Sequence, residues 1–224
     1  MWRKSSSIAL IIGLAGSLGS CSGGGSSGPA FVVTNDPWRK PAESQCLQSG
    51  AVRETPYIQA ISERLNDNEN CQPIQPFKVA ATAGGSVGLK PVSILQCGMI
   101  LSLDRFVRDV VEPAALQAFG TPIVELQILS SYSCRPMDSI RGARLSEHGR
   151  ANAIDIGGFK LATGEMVTVL HGWRAGGAES TFLRNVHRGA CRYFGTVLGP
   201  ESDSYHQNHF HLDLMQRRSG HYCH

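Results

Sequence analysis

Residues 204–214 read SYHQNHFHLDL, and they contain three histidines within six positions: His206, His209 and His211. In an extended strand the side chains alternate between the two faces, so His209 and His211 are expected on one face and the apolar Phe210 on the other. Two imidazoles side by side on a strand indicate part of a metal site. Because a catalytic zinc takes about three protein ligands and keeps one position open for water, a further ligand is expected elsewhere.

The missing ligands are predicted in residues 146–158, which read SEHGRANAIDIGG. Here His148 precedes Asp155 by seven positions. Together with His211 they form a set of two histidines and one carboxylate, which suits a hydrolytic zinc ion. The period of a strand does not by itself decide whether His209 or His211 is the ligand.

Length and composition fit one globular domain with a tail. The chain has 224 residues, 42% of them hydrophobic, and a formal net charge of +3. Since Arg3 and Lys4 lie in the leader, the rest of the chain carries about +1, which gives no electrostatic reason to expect nucleic acid as a partner. No feature of the sequence predicts the oligomeric state.

The first 21 residues resemble a bacterial lipoprotein signal peptide. A basic start is followed by an apolar stretch over residues 8–18, which is too short for the roughly 20 residues that span a bilayer. The segment ends in Leu-Gly-Ser-Cys, so Cys21 is the expected lipidation site. A plain signal peptide cut nearby is the alternative. Either reading predicts export. We expect a flexible tether over residues 22–45, followed by a domain over residues 46–224. The protein is then expected to be a periplasm-facing lipoprotein that only its lipid attaches to the membrane.

Six further cysteines indicate disulfides in an exported chain. They are Cys46, Cys71, Cys97, Cys134, Cys191 and Cys223. A helix that leaves from Cys97 and a strand that returns to Cys134 would bring these two together, which leaves Cys46–Cys71 and Cys191–Cys223 as the simplest remaining pairs.

The apolar patterns predict an α+β fold. Apolar residues from Met99 to Val111 recur at helical spacing, and Pro113 is expected to end or kink that helix. Val124, Leu126 and Ile128 alternate as in a half-buried strand.

Further elements are expected closer to the end of the chain, after a loop-rich segment over 46–96. They are strands at 153–156, 167–170, 196–198 and 208–214 and a helix at 181–194 capped by Ser180. We predict a small, largely antiparallel sheet with flanking helices and the zinc site on the sheet face. Arg184, Arg188 and Arg192 share one helix face and are interpreted as solvated, with an anionic wall polymer as the alternative.

The two histidine motifs resemble those of zinc peptidases such as lysostaphin, the D-Ala-D-Ala carboxypeptidases and the penicillin-insensitive murein endopeptidases; the amino-terminal domain of sonic hedgehog shares their fold. The segments SYSCR, LSEHGRANAIDIGGF, FLRNVHRGAC, FGTVLGP and HQNHFHLDL are more specifically similar to the bacterial extensin-like C-terminal domain family, over roughly residues 43–224.

The resemblance to the peptidases implies roles for individual residues. His148, Asp155 and His211 would bind one Zn²⁺, and His209 would act beside the metal-bound water as base or transition-state stabiliser. His206 falls where the murein endopeptidases have a further active-site histidine. Arg135 resembles the substrate-binding arginine of the carboxypeptidases, and pairing with Asp138 or a loop contact is its alternative.

Two positions depart from the peptidase pattern. Asn208 replaces the general-base glutamate of the carboxypeptidases, so a histidine must take the proton if the site is catalytic. Ala151 replaces a glycine. The leading expectation is a zinc hydrolase that cuts peptidoglycan peptides; a zinc-containing wall- or partner-binding module and a purely structural, four-ligand zinc are the alternatives.

Overall fold

The computed structural model describes Trp2 and residues 30–224. The predicted leader, Cys21 and the start of the tether therefore lie outside the described residues. The helices are α1 Arg39–Gln48, α2 Cys97–Phe106, α3 Glu112–Phe119, α4 Val169–Gly172 and α5 Gly177–Ala190. The strands are β1 Ile58–Ala60, β2 Phe77–Thr82, β3 Val87–Leu95, β4 Ile123–Ser130, β5 Ala153–Leu161, β6 Met166–Thr168, β7 Thr196–Leu198, β8 Phe210–Asp213 and β9 Tyr222–Cys223.

The nine described strands form one sheet in the order β1-β2-β3-β4-β5-β8-β7-β9, with β6 paired to β5. The β3–β4 and β7–β9 pairs are parallel. The α+β class is as predicted, but the sheet is larger than expected and mixed rather than largely antiparallel. The cause is the helical segment between β3 and β4, which is long enough to carry the chain back across the sheet for a parallel crossover.

That crossover stays helical through Pro113. A π-helical turn, Val107–Val111, follows α2 and leads directly into α3, where the proline occupies the first turn. A proline is tolerated there because the first N–H groups of a helix have no partner within it. The predicted break is thus a local change of helix type, and the apolar side chains from Met99 to Val111 are buried against the sheet as expected.

The β4 strand is irregular at its start. Ile123, Leu126 and Ile128 are buried, but Val124 is 38% exposed. A shift in the β4–β5 register between Ile123 and Glu125 turns Val124 outward. The predicted alternation therefore holds only from Leu126 onward.

Helix α5 begins four residues before the predicted start, at Gly177, and Gly176 replaces Ser180 as its N-cap. The Ser180 hydroxyl instead donates to the Trp173 carbonyl. The apolar side of the helix is buried, and it consists of Phe182, Leu183, Val186 and Ala190. It packs on the sheet through an edge-to-face contact of Phe182 with Phe159, whose ring centroids are 5.2 Å apart.

Two of the three predicted disulfide pairs are wrong. The bonds are Cys46–Cys97, Cys71–Cys134 and Cys191–Cys223. Cys97 and Cys134 do follow the carboxyl ends of neighbouring parallel strands, but each is bonded to a segment from before β2. Helix α1 supplies the partner of Cys97, and the short helical turn Glu69–Cys71 supplies that of Cys134.

Helix α1 lies partly in the segment that the sequence assigned to the tether. Its Glu43 is buried and accepts a hydrogen bond from the Cys97 backbone N–H at 3.0 Å. The folded part thus begins before residue 46. Within the described residues, no helix has the length and apolar character needed to cross a membrane.

Candidate metal centre

Three side chains from distant parts of the chain meet at one end of β5 and β8. Asp155 on β5 and His211 on β8 are cross-strand neighbours, and His148 lies on the helical turn Glu147–Arg150 just before β5. One donor atom from each residue lies within 4.8 Å of the other two. The structure therefore brings together the three residues that the sequence proposed as ligands.

The distances within the triad are short. Asp155 Oδ1 is 3.2 Å from His148 Nε2 and 2.9 Å from His211 Nδ1, and these two nitrogens are 3.2 Å apart. His148 and Asp155 are buried, while His211 is partly exposed. Three converging donors with one partly open side can hold a cation and leave room for a water molecule.

The opposite nitrogen of each imidazole is held by another acceptor. His148 Nδ1 donates to the Ser131 carbonyl at 2.6 Å, so Nε2 is the nitrogen that faces Asp155 and His211. His211 Nε2 lies 3.2 Å from Asp213 Oδ2. Such outer partners fix the orientation and protonation of metal-binding histidines. Ser131 was not identified from the sequence, because nothing in the sequence marks a backbone carbonyl as a hydrogen-bond acceptor for a histidine.

The turn that carries His148 explains one departure from the peptidase motif. The Ser146 hydroxyl accepts a hydrogen bond from the His148 N–H at 3.4 Å and caps the turn. Ala151 ends it with a φ of 53°, in the left-handed region. Glycine adopts this conformation freely, whereas alanine pays about 1 kcal/mol.

Without a cation, the triad is held by its own charges. Burial alone would raise the pKa of Asp155, but hydrogen bonds from His148 and His211 outweigh it and hold that pKa far below the usual range. Burial alone would lower the pKa of His211, but bonds to Asp155 and Asp213 raise it to about 10. The pocket thus contains a strongly stabilised carboxylate that attracts positive charge.

His209 lies just before β8, with Nε2 3.6 Å from Asp155 Oδ1. Burial and the neighbouring histidines lower its pKa to about 4, against the attraction of Asp155. A neutral His209 has one donor and one acceptor. Its Nδ1 lies 2.8 Å from Asn208 Oδ1, and donation there leaves Nε2 as an acceptor that faces the triad.

His206 lies next to this group. Its ring centroid is 5.1 Å from that of His209 and 5.7 Å from that of His211. Asp203 Oδ1 is 2.8 Å from His206 Nδ1 and holds the ring. Asp203 was missed in the sequence, although a carboxylate three residues before a histidine in a loop is a signal that could have been used.

These residues line a cleft of about 550 Å³. Arg135 and Asp138 are in its wall with Tyr205 and Met215. The Arg135 carbonyl accepts the Ser146 N–H at 3.0 Å, which ties this wall to the turn that carries His148. The cleft is large enough for a few residues of an extended peptide beside the triad.

Comparison with known proteins gives one result. A family profile described as "Extensin-like protein C-terminus" matches residues 44–224. No curated protein and no solved structure matches the chain.

Proposed function

Because this chain belongs to the extensin-like protein C-terminus family and gathers His148, Asp155 and His211, we propose that it is a zinc-dependent hydrolase of the cell envelope. Its substrate would be a peptide bond in peptidoglycan stem peptides or cross-links. The observation that carries the proposal is the convergence of three ligand atoms within 4.8 Å from two motifs about 60 residues apart.

The donor set fits zinc. Two imidazole nitrogens and one carboxylate are ligands that catalytic zinc uses, and three protein ligands leave a position for water. The thiolates that a closed structural site prefers are absent here, since the six cysteines of the described chain are in disulfides. The similarity of both motifs to those of lysostaphin and the D-Ala-D-Ala carboxypeptidases supports the same metal.

Zinc bound at this triad would supply a water of lowered pKa and polarise the scissile carbonyl. The protein residues then have to handle the proton. His209 is suited to accept it, because a pKa of about 4 keeps its ring neutral at neutral pH and Asn208 holds Nδ1 so that Nε2 faces the triad. Asn208 would therefore have an orienting role in the place where the carboxypeptidases have their glutamate.

Two further residues would act on the substrate. His206, held by Asp203, is near enough to His209 to share the proton or to donate it to the leaving amine. Arg135 in the cleft wall could hold a peptide carboxylate or a developing oxyanion.

An envelope location agrees with the chemistry of the chain. Three disulfides suit an oxidising compartment outside the cytoplasm. We propose that Cys21 carries a lipid and that the following residues tether the domain within reach of the cell wall.

A non-catalytic module that binds the wall or a partner through the same fold is the second possibility. The replacement of the carboxypeptidase glutamate by Asn208 favours it. The two functions differ in their dependence on His209, which a hydrolase needs and a binding module does not.

Digestion of purified peptidoglycan tests the proposal. The zinc-loaded chain, the EDTA-stripped chain and the zinc-loaded His209→Ala variant are incubated with the polymer, and the products are identified by mass spectrometry. We expect new stem-peptide fragments from the zinc-loaded parent alone. Absence of fragments, with one zinc bound per chain, would favour the binding module.

A further inference from the structure

A second cavity, of about 910 Å³, adjoins the metal cleft. Met215 and Arg217 are in the walls of both, and the turn Glu147–Arg150 contributes His148 to the cleft and Arg150 to the second cavity. The two cavities therefore share part of their wall.

The second cavity is lined by more cations than anions. Its charged lining consists of Arg39, Lys40, Arg150, Arg192 and Arg217 against Glu43 and Glu69. Glu43 does not offset the arginines, because its carboxylate accepts a hydrogen bond from the Cys97 N–H and burial raises its pKa.

The acidic groups nearest to Arg150 are committed elsewhere. Glu147 receives two hydrogen bonds from Arg39, at 2.6 and 2.5 Å, and a third from Asn152. Asp36 Oδ2 receives the Arg39 Nε at 2.9 Å and the Thr34 hydroxyl at 2.7 Å. Arg39 is thus paired with both carboxylates. Together they carry one negative charge more than Arg39, and this surplus also attracts the Arg150 guanidinium, which makes no hydrogen bond to either of them.

Arg150 is left without such partners. Among the described residues, its Nε and Nη2 are shielded from solvent and make no hydrogen bond. Burial and the neighbouring charges of Arg39 and Arg144 lower its pKa, against the attraction of Glu147 and Asp36. Buried donors without a hydrogen-bond partner are costly, and a carboxylate is the anion whose planar shape matches a guanidinium best.

The rest of the lining fits a sugar or peptide. Trp38 and Tyr193 supply partly exposed aromatic rings, and Asn70 and Gln72 supply amides. We propose that this cavity binds a carboxylate-bearing segment of the same peptidoglycan strand whose peptide bond lies at the metal cleft. The inference rests on the proposed function for the identity of the polymer, and it makes the cavity a remote subsite that positions the strand.

Binding to insoluble peptidoglycan tests this subsite without relying on turnover. The full chain carries His209→Ala, so that the polymer stays intact. Lys40→Glu with Arg192→Glu reverses two exposed charges of the cavity, and Lys78→Glu with Lys90→Glu makes the same change at exposed positions outside it. The second polymer is peptidoglycan with its carboxyl groups converted to amides.

We expect the cavity pair to weaken binding to native peptidoglycan about tenfold, since each exposed ion pair contributes a few-fold at most. The control pair should change it less than about twofold by the same estimate. On the amidated polymer the two pairs should bind alike. Equal binding of both pairs to native polymer, or an equal loss on both polymers, would overturn the subsite.

Arg150→Gln gives an independent measurement. If Arg150 binds an anion of the ligand, the folded Arg150→Gln variant should bind native peptidoglycan more weakly, whatever its melting temperature. A drop in melting temperature with unchanged binding in the folded variant would assign Arg150 to the fold instead. Should the zinc-loaded parent fail to cleave peptidoglycan, the hydrolase proposal falls, and the loss specific to the cavity pair still stands as evidence for the subsite.

Discussion

The turn Glu147–Arg150 contributes to two cavities of opposite character. In the metal cleft, His148 meets Asp155, whose carboxylate is shared among imidazoles and faces a space suited to a cation. In the second cavity, Arg150 has unpaired donors because Glu147 and Asp36 are both bound to Arg39. The placement of carboxylates, and not the net charge of the chain, thus gives the two cavities their different local charge.

The same contrast holds between one buried carboxyl group of each cavity, Asp155 in the metal cleft and Glu43 in the second cavity. Two imidazoles lower the pKa of Asp155, whereas burial raises the pKa of Glu43, which has backbone N–H groups as its partners. Asp155 therefore keeps a negative charge beside the two imidazoles, and Glu43 accepts a hydrogen bond at the start of α2.

The largest effect is expected for Asp155→Asn. The amide removes the one negative charge among the three ligand atoms, so zinc should fall from one ion per chain to none. Elemental analysis after gel filtration measures the stoichiometry. Asp138→Asn, in the wall of the same cleft, is the matched control and should keep its zinc. Full zinc content in Asp155→Asn would remove Asp155 from the ligand set.

His209→Ala should leave zinc in place and lower the rate of peptide cleavage about 100- to 10,000-fold, the usual contribution of a general base. Loss of zinc in this variant would mean that His209 is a ligand. The alternation of side chains along the strand does not decide between His209 and His211. Asn208→Ala should lower the rate in the same direction by less, because it frees His209 to rotate without removing it.

The pH dependence checks the same residue. Because the pKa of His209 is lowered to about 4, its ring is neutral above that pH and becomes charged below it. In the metal-free chain the His209 ring should therefore titrate near pH 4, below the ordinary histidine value of about 6.5. Histidine NMR of the parent against His209→Ala assigns the signal, and titration near 6.5 would contradict the burial of this ring.

Asp213→Asn should weaken zinc affinity about 10- to 100-fold, as is typical when the outer partner of a metal-binding histidine is lost. Competition with a chelating indicator measures the affinity. Asp203→Asn changes the carboxylate that holds His206 and is the matched control, with unchanged zinc affinity and a lower cleavage rate. Equal affinities in the two variants would show that Asp213 does not support His211.

The smallest effect is expected for Glu43→Gln. A carboxyl group whose pKa is raised by folding stabilises the protein at pH values below its pKa in the unfolded chain, near 4.5. This contribution is lost as the pH rises through the pKa in the folded chain. The variant should therefore gain stability at pH 7 relative to pH 4, by at most about 4 °C in melting temperature. Glu69→Gln, exposed in the same cavity, should show no such difference. An equal gain at both pH values would contradict the assigned cause.

The sequence singled out the three residues of the candidate metal centre through two motifs and their resemblance to those of zinc peptidases, since the strand period alone left His209 and His211 open. The structure pairs Asp155 with His211 across neighbouring strands and places His148 on the turn before β5. The burial of the α2 side chains, in contrast, followed from helical spacing alone.

What the sequence did not predict depends on contacts between distant segments. Helix α1 has few apolar residues, and it is held by the Cys46–Cys97 bond and by Arg39 on Glu147, 108 residues away. Neither contact leaves a periodic signal. The true partner of Cys97, the start of the folded part before residue 46 and part of the second cavity all come from this helix, whereas the partner of Cys134 comes from the separate turn Glu69–Cys71. The outward turn of Val124 follows from a register shift that no pattern marks.

X-ray absorption at the zinc K-edge of the zinc-loaded chain tests the metal centre most directly. We expect one zinc ion per chain, bound by nitrogen and oxygen atoms at about 2.0–2.1 Å, with a scattering pattern typical of two imidazole ligands. In His148→Ala the imidazole signal should fall and the zinc be lost on dialysis. A sulfur shell near 2.3 Å, or no bound zinc in the parent, would contradict this expectation.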